Sequence, residues 1–168
     1  MNIDKDAEYI IDFDGVFQYY ATEGMDTSSV ATDNFAEFFA GIAKKVDKLN
    51  PTIVQLVKGL AKKKIPIYIL TGRTKSLLGE FTEDLLKKEG INVTKIFYFP
   101  EDKKSSEYYS WKEEVIINKL RQNVDKKLYI YDDDKKLLSG LKNKMKFPNL
   151  KLVYYKFFKN GDEELQEF

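Results

Sequence analysis

Asp12 and Asp14 stand two residues apart at the end of an apolar run, Tyr9-Ile10-Ile11. In extended backbone, residues two apart point to the same side. Both carboxylates would therefore project together from a strand end, where one must hold a proton or both must share a cation. An equally good reading of these residues is a strand that runs into an acidic turn, with Gly15 supplying the bend. Two further polar clusters close apolar runs: Thr71, Gly72 and Arg73 after Ile65–Leu70, and Asp132, Asp133 and Asp134 after Leu128–Tyr131. Parallel strands place their carboxyl ends on one edge of a sheet, so the three clusters could meet in one crevice. Several carboxylates with a single arginine would need a cation there. A hard divalent ion such as Mg²⁺ answers that need, and it suits phosphate oxygens.

Composition narrows the chemistry further. The 168 residues include no cysteine and no histidine. That removes thiol nucleophiles, thiolate metal sites, Ser-His-Asp hydrolysis and histidine acid–base catalysis, leaving carboxylates, lysine, hydroxyls and backbone amides. Apolar residues at 43% and charged residues at 33% describe an ordinary globular balance. The length predicts one domain over 1–168, burying roughly two-thirds of its unfolded surface. No apolar run is long enough to span a bilayer, and the first residues lack the form of a signal peptide. The expected location is the cytoplasm. Net charge is +1, but residues 1–40 carry nine acids and one lysine. The later chain is lysine-rich, with runs at 44–45, 62–64, 87–88, 103–104, 126–127 and 135–136. These read either as solvated helix caps or as a basic surface facing a phosphate backbone.

The elements that must position these residues follow from periodicity. Strands are predicted at Tyr9–Ile11, Ile65–Leu70, Val93–Phe99, Leu128–Tyr131 and Leu150–Tyr155. Helices are predicted over Ala31–Leu49, with Ser28, Ser29 or Thr32 as cap, and after Asn50, with Pro51 at its first position. Further helices are expected over Lys75–Glu89, Trp111–Val124 and 135–145. Residues 101–110 read as loop, and the polar tail from Asn160 as mobile. The alternation predicts an α/β fold, a three-layer, Rossmann-like open sheet of about five mostly parallel strands with helices on both faces.

Four motifs in order resemble the haloacid dehalogenase-like superfamily of aspartyl phosphotransferases over about residues 8–155. They are DFDG at 12–15, Thr71 within LTGR, Lys112 after Trp111 at a helix start, and Asp132-Asp133 after LYIY. The resemblance implies Asp12 as nucleophile, Asp14 as general acid and then base, Thr71 on a phosphoryl oxygen, and Lys112 offsetting charge beside Asp12. It implies Gly72 and Arg73 as substrate-binding residues. Mg²⁺ would be held by the Asp12 carboxylate, the Asp14 backbone carbonyl, and Asp132, with Asp133 acting directly or through a water. Structural alternatives stand beside these roles. Thr71 could cap a helix, Lys112 could be a surface lysine, and Arg73 could pair with the acidic loops. Trp111 reads better as a core anchor and Asp134 as the cap of the following helix. Phe17, Tyr19 and Tyr20 could close over a leaving group or pack the next helix.

The superfamily often inserts a cap domain after the first motif or before the lysine. Residues 16–50 leave room for a small helical insertion, and 100–110 for none, so a small or absent cap is expected. The implied function is Mg²⁺-dependent phosphomonoester hydrolysis on a nucleotide or a nucleic-acid 3′-phosphate end. The LTGR turn and the aromatic residues before Lys112 and Asp132 look like polynucleotide-end-repair phosphatases of the superfamily. The alternatives are a small-metabolite phosphatase, a non-catalytic phospho-ligand or protein-binding domain, and a receiver-like domain that holds its phosphate. Asp12 and Asp14 together weigh against the last two. No membrane contact and no obligate protein partner are expected.

Overall fold

In the computed structural model, which describes residues 2–168, strand β1 (Ala7–Ile11) is buried along its whole length. β2 (Ile67–Thr71) and β4 (Lys127–Asp132) pair with it in parallel on either side. β3 (Lys95–Tyr98) extends the sheet beyond β2, and β5 (Leu150–Phe157) extends it beyond β4. Ile11 is level with both Ile69 and Tyr131. The polar residues that follow each strand therefore leave the sheet side by side, at one edge.

Alternate residues of β1 feed two separate cores, as period-two geometry requires. Tyr9 and Ile11 pack with Ile53, Val57 and Leu60 of α2 (Pro51–Lys62) and with Leu85 and Leu86 of α3 (Lys75–Lys88). Ile10 packs on the other face with Trp111, Ile116 and Leu120 of α4 (Tyr108–Gln122). Leu137, Leu138 and Leu141 of α5 (Lys135–Lys144) complete that core. The result is a three-layer α/β fold. Asn50 caps α2 by accepting the Thr52 N–H, and Asp134 caps α5 by accepting those of Lys136 and Leu137. Trp111 is a buried anchor of the second core.

Four local expectations need correcting. The helix expected over Ala31–Leu49 is a turn of 3-10 helix at Thr32–Asn34 followed by α1 (Phe35–Ala43), and no Ser or Thr hydroxyl caps it. Downstream backbone is claimed elsewhere: the Gln18 side chain donates to the Val46 carbonyl, and the Asn50 N–H donates to that of Phe17. Val46 and Leu49 are thus buried outside any helix. Second, α4 begins at Tyr108, because the Glu107 carboxylate accepts the Lys104 N–H at 2.7 Å and closes a 3-10 turn at Ser105–Glu107. Third, β2 begins at Ile67, after Pro66, and β3 is shorter than expected.

The fourth correction is the tail, which forms β6 (Glu163–Glu167), antiparallel to β5, giving a six-stranded sheet in the order β3-β2-β1-β4-β5-β6. Asn160-Gly161 makes the turn, with Gly161 at φ +92, a backbone conformation glycine adopts without steric cost. All of β6 is exposed, so burial left no apolar signal in its sequence. Among the described residues, no helix is long and apolar enough to cross a membrane.

Candidate active site

β1 runs into Asp12 and β4 ends at Asp132, and the bend at Gly15 lets the chain pass close over Asp133. Gly15 has φ +88, and a β-carbon there would overlap the Asp133 carboxylate. Carboxylate oxygens of Asp12, Asp132 and Asp133 all lie within 4.8 Å of one another. Lys112, in the second turn of α4 and wholly buried, reaches between two of them. Its Nζ is 2.8 Å from Asp132 Oδ2 and 3.4 Å from Asp12 Oδ1. The other oxygen of Asp132 accepts the Asp134 N–H.

Asp14 stands apart from this cluster. Its carboxylate takes a two-point contact from Arg73, which is itself buried. Two more of its N–H groups are engaged: Nη1 donates to Thr82 Oγ1 at 2.9 Å and Nη2 to Gln18 Oε1 at 2.8 Å. Its plane lies over the Phe13 ring, 4.2 Å from the centroid. Thr71 is buried and its hydroxyl accepts the Arg73 N–H, while Thr74 takes the N-cap position of α3. Gly72 is exposed and faces Tyr108, whose ring a β-carbon would crowd.

Four carboxylates here face two buried cations, which leaves two negative charges uncompensated. The imbalance is visible in protonation. Burial, reinforced by the neighbouring aspartates, pushes the Asp12 carboxyl well above the usual carboxylate range despite Lys112. Burial and Asp132 push Asp133 up to about 7. Burial works against the Lys112 ammonium, but Asp12 and Asp132 outweigh it and keep the group charged. An oxygen-only donor set with this excess charge fits a hard divalent cation, and the Asp12, Asp132 and Asp133 cluster could coordinate one.

The cluster opens into a cavity of about 1190 Å³. Asp12, Asp14, Gly72, Arg73 and Asp133 line it, whereas Thr71, Lys112 and Asp132 lie behind that surface. The cavity lining combines apolar Val30, Phe35 and Phe39 of the 16–50 segment and Leu77 of α3 with Lys103, Lys135 and Lys136, and with the acids Asp33, Glu101 and Asp134. Of the three aromatic residues after Gly15, Tyr20 faces the cavity. Phe17 is buried against Phe13, and Tyr19 packs near Phe157. The Thr74 hydroxyl also borders the cavity, and its buried oxygen has no hydrogen-bond partner.

Sequence reasoning missed Gln18 and Thr82. Thr82 follows Leu78 by four residues, on the face of α3 that also buries Leu85 and Leu86. A polar residue at such a core position must find a partner, which was the available signal. Gln18 lies within the aromatic run Phe17-Gln18-Tyr19-Tyr20 and gave no comparable one.

The mostly parallel sheet whose adjacent strands deliver Asp12 and Asp132 is similar in fold to a haloacid dehalogenase-like hydrolase. The chain superimposes on a haloacid dehalogenase-like family hydrolase from Streptococcus pneumoniae with a TM-score of 0.54, at 18% identity, covering 83% of this chain and 81% of that one. Two chains from structures of the Pnkp1/Rnl/Hen1 complex, one described as an RNA repair complex, match with TM-scores of 0.58 and 0.57, each at 18% identity. They cover 85% and 91% of this chain, which spans less than half of their length, 41% and 47%. At such identity the likeness is one of fold. No protein-family model matches the sequence, and comparison with curated proteins finds no match.

Proposed function

We propose that the chain is a Mg²⁺-dependent phosphomonoester hydrolase that works through an aspartyl-phosphate on Asp12, acting on a nucleotide or a nucleic-acid 3′-phosphate end. The observation that carries this reading is Lys112, a buried ammonium held between Asp12 and Asp132 beside a third carboxylate, Asp133. A charged lysine in that position opposes the burial that holds Asp12 protonated and offsets charge building on a phosphoryl group.

Asp12 Oδ would attack phosphorus in line, as the bond to the leaving oxygen breaks and Asp14 gives that oxygen a proton. Asp14 would then take a proton from the water that attacks the aspartyl-phosphate. That step releases inorganic phosphate and restores both carboxyls. The Thr71 hydroxyl would hold a phosphoryl oxygen, and the exposed backbone at Gly72 would let substrate approach closely. Asp12, Asp132, Asp133 and the Asp14 backbone carbonyl would hold Mg²⁺. When bound, the ion supplies positive charge that neutralises the carboxylates and polarises a phosphate oxygen.

The cavity, about 1190 Å³ and open to solvent, leaves room for a substrate larger than a small metabolite. The fold likeness to chains of an RNA repair complex supports the same choice. The test is release of p-nitrophenol from p-nitrophenyl phosphate in Mg²⁺ by the wild type and by Asp12→Asn. Turnover lost in the variant supports the reading, and full activity in purified D12N overturns the nucleophile.

A further inference from the structure

The basic part of the cavity lining has no structural explanation of its own. Lysines at helix C-termini complement the dipole, and Lys142 and Lys144 in the last turn of α5 do so. Lys135 and Lys136 occupy the first two positions of the same helix, where the dipole opposes a cation, and the adjoining Asp134 carboxylate is engaged by the Lys136 and Leu137 N–H groups and the Tyr109 hydroxyl. The runs at 62–64 and 87–88 lie at or just beyond C-terminal helix ends, leading towards the amino ends of β2 and β3. The 135–136 pair opens onto the cavity together with Lys103.

Both α5 ammonium groups are positioned by aromatic faces. Lys135 Nζ lies 4.3 Å from the Tyr154 ring centroid and Lys136 Nζ lies 4.8 Å from that of Tyr109. Tyr109 is in turn fixed by its hydroxyl, which donates to Asp134 at 2.8 Å. Lys136 forms no ion pair among the described residues. Lys135 approaches Glu164 at 3.5 Å and Lys103 approaches Glu107 at 3.9 Å, both exposed pairs of the kind a phosphate readily replaces. Tyr20, Phe35 and Leu77 line the same cavity and give it apolar surface.

Resting on the phosphatase reading above, we propose that Lys103, Lys135 and Lys136 form a subsite for a phosphodiester adjoining the scissile phosphate. The substrate is then the phosphorylated end of a single-stranded oligonucleotide. A monophosphate metabolite would leave these lysines unused. A duplex would keep its bases stacked inside, whereas an unpaired terminal base can lie on the apolar surface.

The test is equilibrium binding of a fluorescein-labelled single-stranded octanucleotide bearing a 3′-phosphate, followed by anisotropy in the D12N background. Adding K135A and K136A should weaken binding about tenfold and reduce the salt slope by about 1.4, from two lost contacts on a single strand. Adding K62A and K63A instead, at the far edge of the sheet, should leave affinity within about twofold. The subsite is overturned if the strand does not bind, if the 135–136 pair can be removed without loss, or if the control pair costs as much. Equal binding of a blunt duplex overturns the single-strand assignment. In otherwise wild-type protein, the ratio of kcat/KM for the oligonucleotide over p-nitrophenyl phosphate should fall about tenfold in K135A/K136A, and an unchanged ratio counts against the subsite. If p-nitrophenyl phosphate is not hydrolysed at all, the phosphatase reading fails, while the binding comparison still decides the subsite.

Discussion

Arg73 grips Asp14 in a two-point fork, Nε to Oδ2 at 2.9 Å and Nη2 to Oδ1 at 2.7 Å, with the arginine side chain 1% exposed. Two parallel charge-assisted bonds fix the plane of the carboxylate as well as its position. Removing one partner of such a buried pair strands the other. Arg73→Ala should therefore cost about 3–5 kcal/mol, read by urea denaturation. Arg73→Lys keeps the charge but not the fork. It should retain more stability than the alanine variant while still losing turnover, and a lysine variant with wild-type turnover would count against the orienting role.

Gln18 ties that fork to the backbone beyond α1, accepting from Arg73 Nη2 and donating to the Val46 carbonyl at 2.7 Å. Gln18→Leu leaves both groups buried without this partner, a loss of about 1–3 kcal/mol for each unsatisfied group. Thermal unfolding should register it. Gln18→Glu, which keeps an acceptor for Arg73, should lose less.

Gly15 is needed on two counts, its positive φ and the closeness of Asp133. Gly15→Ala should displace the Asp133 carboxylate, so the expected signature is weakened Mg²⁺ binding in calorimetry. Mg²⁺ binding equal to wild type would show that Asp133 does not need this close approach.

Stability should depend on pH with a sign that Mg²⁺ reverses. Without metal, Asp133 titrates at about 7 when folded, against 3.8 as its ordinary value, and Asp12 is raised in the same direction. A raised carboxyl favours the fold while protonated. Its contribution is complete below about pH 4 and disappears as pH rises through about 7. Added Mg²⁺ needs the ionised groups, so the rise in Tm that it produces should be larger at pH 8 than at pH 5. Equal shifts at the two pH values would show that these carboxyls do not hold the ion.

Much of this arrangement was legible in the chain. Buried strands leave uninterrupted apolar runs, and those before Asp12, Thr71 and Asp132 located the three polar clusters now seen at one edge. Lys112 was found by resemblance, because one lysine among many carries no local mark; its burial arises from long-range contacts with Asp12 and Asp132. The helix over 31–49 was overextended because periodicity cannot register that Gln18 and Phe17 claim the backbone beyond Ala43. The last strand was lost for the opposite reason. Its pairing is backbone to backbone on an exposed edge, and only Asn160-Gly161 announced it.

The arm bearing α1 is stabilised by its own small cluster, Phe39, Ala40, Ala43 and Val46 against Ala21 and Leu78, separate from the two cores that flank the sheet. Residues shaping the apolar surface can thus be exchanged while the floor beneath them stays rigid. On the proposed function, selectivity could drift through this one short segment without altering the residues beneath it.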